Sequence, residues 1–315
     1  MNAMTELKNL RFPLSMPDSA NSTYRQLEVE YDPDTRSVWT YIKPSGTTCF
    51  NLGVLSDLRS NDKDFEKNQG KTLYAGELAP VDFYVVASKI EHVFNYGGDL
   101  ALFVLLIKSR DREALLHYAK LCVDCMYARI VNYKTSAITI SLVQGDALGG
   151  GFETVLTSNV IIAEETARMG FPEILFNLFP GMGAYSLLTR RLGAKKAEEM
   201  ILGGKIYEAH ELYAMGLIDV LVPKGEGEKA VYDFMRQQGR RLNGMRAMYE
   251  CRRHTNPISY EELMAITEVW VDAALRLKDK DLKMMGRLVR SQLRQQELRK
   301  NGMPLEPELT LATAD

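Results

Sequence analysis

The sequence predicts an α/β fold, a spiral of short strands and helices followed by a helical C-terminal region. Three observations carry this. Apolar, β-branched runs at 81–88 (VDFYVVAS), 138–143 (ITISLV) and 160–163 (VIIA) alternate with helical patterns. A glycine triplet, Gly149-Gly150-Gly151, separates one such strand from a helix opening near Phe152. From Gly225 onward only helical patterns remain. Strand–turn–helix units repeated in this way stack on one another and bury a common core.

The elements come in this order. Residues 1–24 are polar and proline-punctuated and are expected to form a flexible arm. Residues 27–31 and 37–42 alternate on either side of Asp32-Pro33-Asp34, which reads as a hairpin. Residues 49–59 fit a short helix, and 61–76, rich in Lys, Asp and Asn, an exposed helix or loop. The strand over 81–88 delivers the chain to the Gly97-Gly98 loop; 100–107 is helical, and a long amphipathic helix runs from about Asp111 to Tyr133. Past Gly183, helices are expected over 184–192 and 195–202, a further one ending at Gly216, and a last strand over 217–223. The core thus spans 25–224, and 225–300 is helical: 230–241, 245–253, 260–277, and a charged helix over 279–299 with Met284, Leu288 and Leu293 as its apolar stripe. Residues 301–315 are expected to be disordered.

Composition narrows the function. At 315 residues, with 46% hydrophobic and 25% charged content, the chain has ample length for a core. A net charge of -2 provides no field for a nucleic-acid partner. No signal-peptide pattern and no bilayer-spanning apolar run is present, so a cytoplasmic protein without membrane insertion is expected. Cys122-x-x-Cys125 lies on the apolar face of a helical pattern with no second Cys/His pair, which assigns it to core packing rather than metal or redox work. His210-Glu211 lacks a second histidine at the zincin offset, and no G-x-S-x-G elbow exists. No metal and no cofactor is expected.

The chemistry concentrates in SLVQGDALGGGFETVLTSNVIIAEETARMGFPEILFNLFPGMGA, residues 141–184. A glycine-rich strand-to-helix turn presents bare N–H groups. Glu153 stands in the first turn of the helix after it, and Glu173 twenty residues on. If the strands at 138–143 and 160–163 share a sheet, both glutamates leave equivalent strand exits. Two carboxyls and free amide donors around one pocket make a general acid–base site with an oxyanion hole. A phosphate cradle is the competing reading, but no Lys-Ser/Thr comes after the glycines and G-x-G-x-x-G does not fit. A purely structural role, with Glu153 offsetting a helix dipole, also stays open.

GDALGGGFE followed by MGFPEILFNLFPGMGA resembles the crotonase (enoyl-CoA hydratase/isomerase) superfamily, as does the upstream loop Phe94-Asn95-Tyr96-Gly97-Gly98-Asp99-Leu100. VFNYGGDLALF, LVQGDALGGGFE, LFPGMGAYS and ITEVWVD together are similar to the diffusible signal factor synthases, the RpfF-type crotonases, over about 27–295. The resemblance implies a crotonase-like ββα spiral core with a C-terminal helical trimerisation region that packs on a neighbour or folds back over its own site. It implies Glu153 and Glu173 as the catalytic pair and the N–H groups of Gly98 and Gly150 as the oxyanion hole. Asn95, Tyr96, Gly97, Gly149, Met169, Gly181, Met182, Trp270 and Leu288 are the expected substrate-binding residues; Leu175, Leu178 and Phe179 are further wall candidates, and ordinary core packing competes for each apolar one. The implied reaction converts a 3-hydroxyacyl thioester, on acyl carrier protein or CoA, to a cis-2-enoyl thioester and then to the free acid. A homotrimer or dimer of trimers and a sensor or regulator protein are the implied partners. Two other classes remain: a general enoyl-CoA hydratase/isomerase, and a mainly regulatory, sensor-binding crotonase.

Overall fold

The computed structural model describes residues 24–44 and 46–300; the arm over 1–24 (Tyr24 apart) and the tail over 301–315 lie outside them. β1 (Leu27–Asp32) and β2 (Ser37–Ile42) form the expected antiparallel hairpin, Leu27 opposite Ile42. α1 (Leu52–Lys67) is capped by Asn51, whose side chain accepts the Val54 N–H, and is longer than the helix expected over 49–59. Its polar second half is not simply exposed, since Asn61, Asp62 and Phe65 are buried. β3 (Lys71–Tyr74) and β4 (Glu77–Pro80) then form a hairpin where a helix or loop was expected. Both turn residues, Ala75 and Gly76, take positive φ. An alanine in such a turn carries none of the Asn-Gly signal that marks one in sequence.

Three similar units come next. The first is β5 (Phe83–Ser88), β6 (Val93–Asn95), α2 (Leu100–Lys108) and α3 (Arg112–Ile130), closed by a 3₁₀ turn at Asn132–Lys134. The second is β7 (Ile138–Val143), β8 (Asp146–Leu148) and α4 (Gly150–Leu156). The third is β9 (Val160–Glu164), β10 (Arg168–Gly170), a 3₁₀ turn at Pro172–Phe176, α5 (Ala184–Leu192) and α6 (Ala194–Gly203). β11 (Ile206–Glu208), α7 (Ala209–Ala214) and β12 (Val220–Val222) complete the core. α8 (Gly227–Gly239), α9 (Leu242–Thr255), α10 (Tyr260–Ala274) and α11 (Asp279–Lys300) form the helical region.

Each unit gives its first strand to one sheet and its second to another. The larger sheet has the order β1-β2-β5-β7-β9-β12, parallel throughout except for β1 against β2. The smaller has the order β11-β10-β8-β6, with β6, β8 and β10 parallel and β11 antiparallel. One face of the large sheet carries Phe83, Val85, Ile138, Ile140, Val160 and Ile162 and packs against Val231 and Met235 of α8. The other faces the helices and the small sheet. α11 packs back on α2 and the 172–176 turn of its own chain. Its inner face runs through Leu282, Met285 and Leu288 and then turns polar, because Ser291 and Gln292 occupy the next inward positions; Leu293, expected in the stripe, is 43% exposed. No described helix is long and apolar enough to cross a membrane.

Ile140 is fully buried at the centre of the β7 row. Ile140→Ala is expected to lower the unfolding free energy by about 2–5 kcal/mol, read from the urea midpoint. A loss well under about 1 kcal/mol would show that this face is loosely packed.

Candidate active site

Three chain segments meet where β6, β8 and β10 end. Ala147 of β8 pairs with Asn95 on one side and Met169 on the other, and Leu148 pairs with Gly170. The residues just past each strand are therefore brought to one place. The glutamates do leave equivalent exits, but those of β8 and β10, not of the strands at 138–143 and 160–163. Strands of three residues are too short for alternation to show in the sequence.

At the β6 exit, Asn95 is fully buried, and its Oδ1 accepts the Gly97 N–H at 2.7 Å. Gly97 has φ +91, and a Cβ there would lie 2.8 Å from both the Gly150 nitrogen and the Leu148 carbonyl oxygen, so only glycine fits. The Gly97 carbonyl accepts the Phe50 N–H at 2.8 Å, and the Asp99 N–H donates to the Tyr118 hydroxyl at 3.1 Å. Gly98 is held between these anchored neighbours.

At the β8 exit, Gly149 has φ +53 and donates its N–H to the Gly170 carbonyl at 2.9 Å. Gly150 opens α4, where helix N–H groups have no intrahelical acceptor. Among the described residues, neither the Gly98 nor the Gly150 N–H donates to a protein acceptor. The two are adjacent, a Cβ at Gly150 lying 3.6 Å from the Gly98 nitrogen. Two unspent donors side by side can bind one developing oxyanion.

Glu153 and Glu173 complete the group. Glu153 is 1% exposed, and its Oε1 accepts the N–H groups of Met182 at 3.0 Å and Ala184 at 2.9 Å, at the start of α5. Glu173 lies against the turn at Gly149: a Cβ there would stand 2.4 Å from Glu173 Oε1, while Oε2 is buried without a partner. Burial raises the Glu153 pKa to about 7, opposed by the amides of Ala184 and Met182. Burial, and then the Glu153 charge, raise that of Glu173 to about 8. The pair thus loses its first proton near neutrality and its second at higher pH, and these coupled titrations belong to the pair rather than to either residue.

One cavity of about 140 Å³ holds both carboxyls. Tyr96, Gly98, Gly149, Gly150, Glu153 and Glu173 line it, as do Gly181, Met182, Trp270 and Leu288. Asn95, Gly97 and Met169, expected to touch substrate, do not: the first two brace the loop from behind, and Met169, fully buried, faces the core. Of the further candidates, Leu178 reaches the cavity and Leu175 and Phe179 do not. Trp270 stands edge-on to Phe103 at 5.1 Å and lies against Gly181, whose carbonyl accepts the Thr267 hydroxyl at 3.0 Å. α10 thus fixes that wall. Cys122, Cys125 and Met126 of α3 line the cavity as well, and burial pushes both thiols up, leaving them as neutral packing groups. Asp62 and Arg129, which sequence patterning did not single out, also reach the cavity. The signal was available for Arg129, a charge standing on the apolar face with Cys122, Cys125 and Met126. Among the described residues no three His, Cys, Asp or Glu side chains form a metal-binding group.

The sequence of residues 81–255 matches the enoyl-CoA hydratase/isomerase family, and the chain belongs to it. Its fold is the crotonase spiral with a C-terminal helical region. Among curated relatives, the "Probable enoyl-CoA hydratase echA8" of Mycobacterium bovis is 45% identical over 85 residues, 27% of this chain and 33% of that protein, so the match spans about a third of the relative's length. Among solved structures, Pseudomonas aeruginosa DspI aligns with a TM-score of 0.62 at 21% identity, covering 88% of this chain and 98% of the other. Human mitochondrial delta3-delta2-enoyl-CoA isomerase aligns with a TM-score of 0.67 at 15% identity, covering 88% and 99%. At such identities the likeness is one of fold.

Both glutamates sit above the ordinary value of 4.5. The stability they confer is complete below about 4.5 and is lost as pH rises through about 7 and 8, where buried carboxyls must ionise. Between pH 5 and 9, Glu173→Gln should therefore lose less stability than the wild type, by at least about 1 kcal/mol. Parallel denaturation curves at the two pH values would show that Glu173 is not desolvated.

Proposed function

We propose that this chain is an acyl-thioester dehydratase with thioesterase activity, converting a 3-hydroxyacyl thioester to a free cis-2-unsaturated fatty acid of the diffusible-signal type. The observation that carries the reading is the placement of two carboxyls, poised near neutrality, beside two unspent glycine amides in one largely apolar cavity. The signal-synthase specificity rests on the motifs VFNYGGDLALF, LVQGDALGGGFE and ITEVWVD.

In this reading the thioester carbonyl oxygen lies between the N–H groups of Gly98 and Gly150. Cα is one bond from that carbonyl, and the base role is assigned to Glu173, which lies against Gly149 beside the Gly150 amide. Glu173 takes the Cα proton as the enolate charge moves onto the oxygen. Glu153, held by the amides of Met182 and Ala184, then gives a proton to the 3-hydroxyl, the C–O bond breaks, and water leaves. Each proton transfer contributes roughly 10²–10⁴ in rate. Water added to the same carbonyl in a second step puts charge on the same oxygen, and the thiol departs with a proton. Run backward, the first step hydrates an enoyl thioester; the hydratase reading of the family uses the same groups. A purely regulatory role would leave both carboxyls and both amides without a task.

Acyl carrier protein or CoA is the proposed carrier. A homotrimer or a dimer of trimers is the proposed assembly, supported by α9, in which no residue is buried within the chain. A sensor protein for the released acid is the proposed regulatory partner.

Glu153→Gln and Glu173→Gln should each abolish product with the fold intact. The wild-type kcat/KM should be bell-shaped, falling below about 7, where no base remains, and above about 8, where no acid remains. Near wild-type turnover by either variant would sink the two-carboxyl mechanism. Gly150→Pro removes one amide donor at a helix start that tolerates proline. If circular dichroism shows it folded, dehydration and hydrolysis of a supplied 2-enoyl thioester should both drop at least about a hundredfold. Loss of the first alone would place hydrolysis elsewhere. Light scattering should find the trimer or its dimer at micromolar concentration, against which a monomer alone would count.

A further inference from the structure

The cavity has two chemically different ends. One carries the glutamates and glycine amides. From there α3 forms one wall: Tyr118, whose hydroxyl takes the Asp99 N–H beside Gly98, is followed by Cys122, Cys125, Met126 and Arg129 on the same face, all lining the cavity. At 1.5 Å per residue, Tyr118 to Arg129 spans about 16 Å. A wall of that length admits a long extended acyl chain.

The far end is polar. Asp62 is 2% exposed, lines the cavity, and forms no hydrogen bond or ion pair with any described residue. Arg129 is 5% exposed and has no carboxylate partner among the described residues. Its Nε donates to Thr157 at 3.0 Å, Nη1 to the Tyr133 hydroxyl at 3.1 Å, and Nη2 to Ser158 at 2.6 Å and Ser141 at 3.4 Å. A guanidinium has five N–H groups. Those four bonds leave one, on Nη1. A buried acceptor and a buried donor are thus both unspent among the lining residues of a cavity whose walls are otherwise largely apolar.

We propose that this end recognises a hydroxyl group at the far terminus of the acyl chain, so that the preferred substrate is an acyl thioester carrying a distal hydroxyl. One hydroxyl accepts from Arg129 Nη1 and donates to Asp62. A terminal ammonium would meet the Arg129 charge, and a terminal carboxylate would meet Asp62 once that group ionises, whereas a neutral donor–acceptor fits either protonation state of Asp62. Burial raises the Asp62 pKa to about 8, against the Arg129 charge, which keeps the neutral form available for the same hydrogen bond. A plain methyl terminus leaves both groups unpaired, and sites built around a hydroxyl discriminate strongly against the analogue that lacks it.

The proposal rests on the acyl-thioester reading of the cavity, and two measurements keep their failures apart. Full-length protein is offered matched 3-hydroxyacyl thioesters with and without a terminal hydroxyl over a series of chain lengths, and kcat/KM is compared. The matched free acids are titrated by calorimetry, which needs no turnover. At the best length the hydroxylated member should be preferred at least about tenfold in both measurements. Asp62→Leu should bring that ratio to about one or below, and Asp62→Asn, which keeps the shape and an acceptor, should fall between. Hydroxyl-selective binding of the acids without turnover of any thioester would remove the proposed reaction and leave this inference standing. Equal preference at every length, selectivity for the plain chain, or a hydroxyl preference that survives Asp62→Leu would overturn it.

Discussion

The parallel pairing of β6, β8 and β10 is the constraint on which the site depends. Each of these strands is only three residues long, and none would be stable alone. They are held because each is the second strand of a unit whose first strand is locked in the large sheet. Their register sets Asn95, Ala147 and Met169 side by side. From that row the chain runs on to Gly98, to Gly150 and Glu153, and to Glu173. A slip by one residue would turn the side chains of a strand to the opposite face and break the row. Gly97 and Gly149 seal the arrangement, because any Cβ at either would strike the neighbouring segment.

The electrostatics are a consequence of that packing. Two carboxyls are taken out of water together, which raises both. The amides of Met182 and Ala184 reach Glu153 only, so the pair is unequal. A near-neutral, unequal pair keeps one carboxyl ready to accept a proton and one ready to give it. Four water-exposed oxygens could not do this at neutral pH. The same low-dielectric surroundings strengthen the two glycine donors, and they make the unpaired Asp62 at the other end of the cavity a conspicuous feature.

Much of this was legible in the sequence, for identifiable reasons. The large-sheet strands β5, β7 and β9 are largely apolar over five or six residues, and α3 carries a clear periodic face. The segments bearing Gly98, Gly150, Glu153 and Glu173 announced themselves by glycines beside acids in a set order. The hidden features were either too short or of the wrong residue type. The three-residue strands of the small sheet read as loop, and the β3–β4 turn uses Ala75 where asparagine would have signalled. Met169 and Met182 look alike in sequence, yet strand geometry sends one into the core and the other to the cavity. Arg129 and Asp62 sit on different helices, and only the packing of α1 against α3 brings them to one cavity.

The central claim is that Glu173 removes a Cα proton while the glycine amides hold the enolate. It can be isolated from dehydration and hydrolysis by using a saturated acyl thioester with no 3-hydroxyl, incubated with the protein in D₂O and followed by mass spectrometry. Deuterium should enter at Cα, and entry should be lost in Glu173→Gln. A substrate that binds in the cavity yet gains no deuterium, or gains it equally with the Glu173→Gln protein, would contradict the claim.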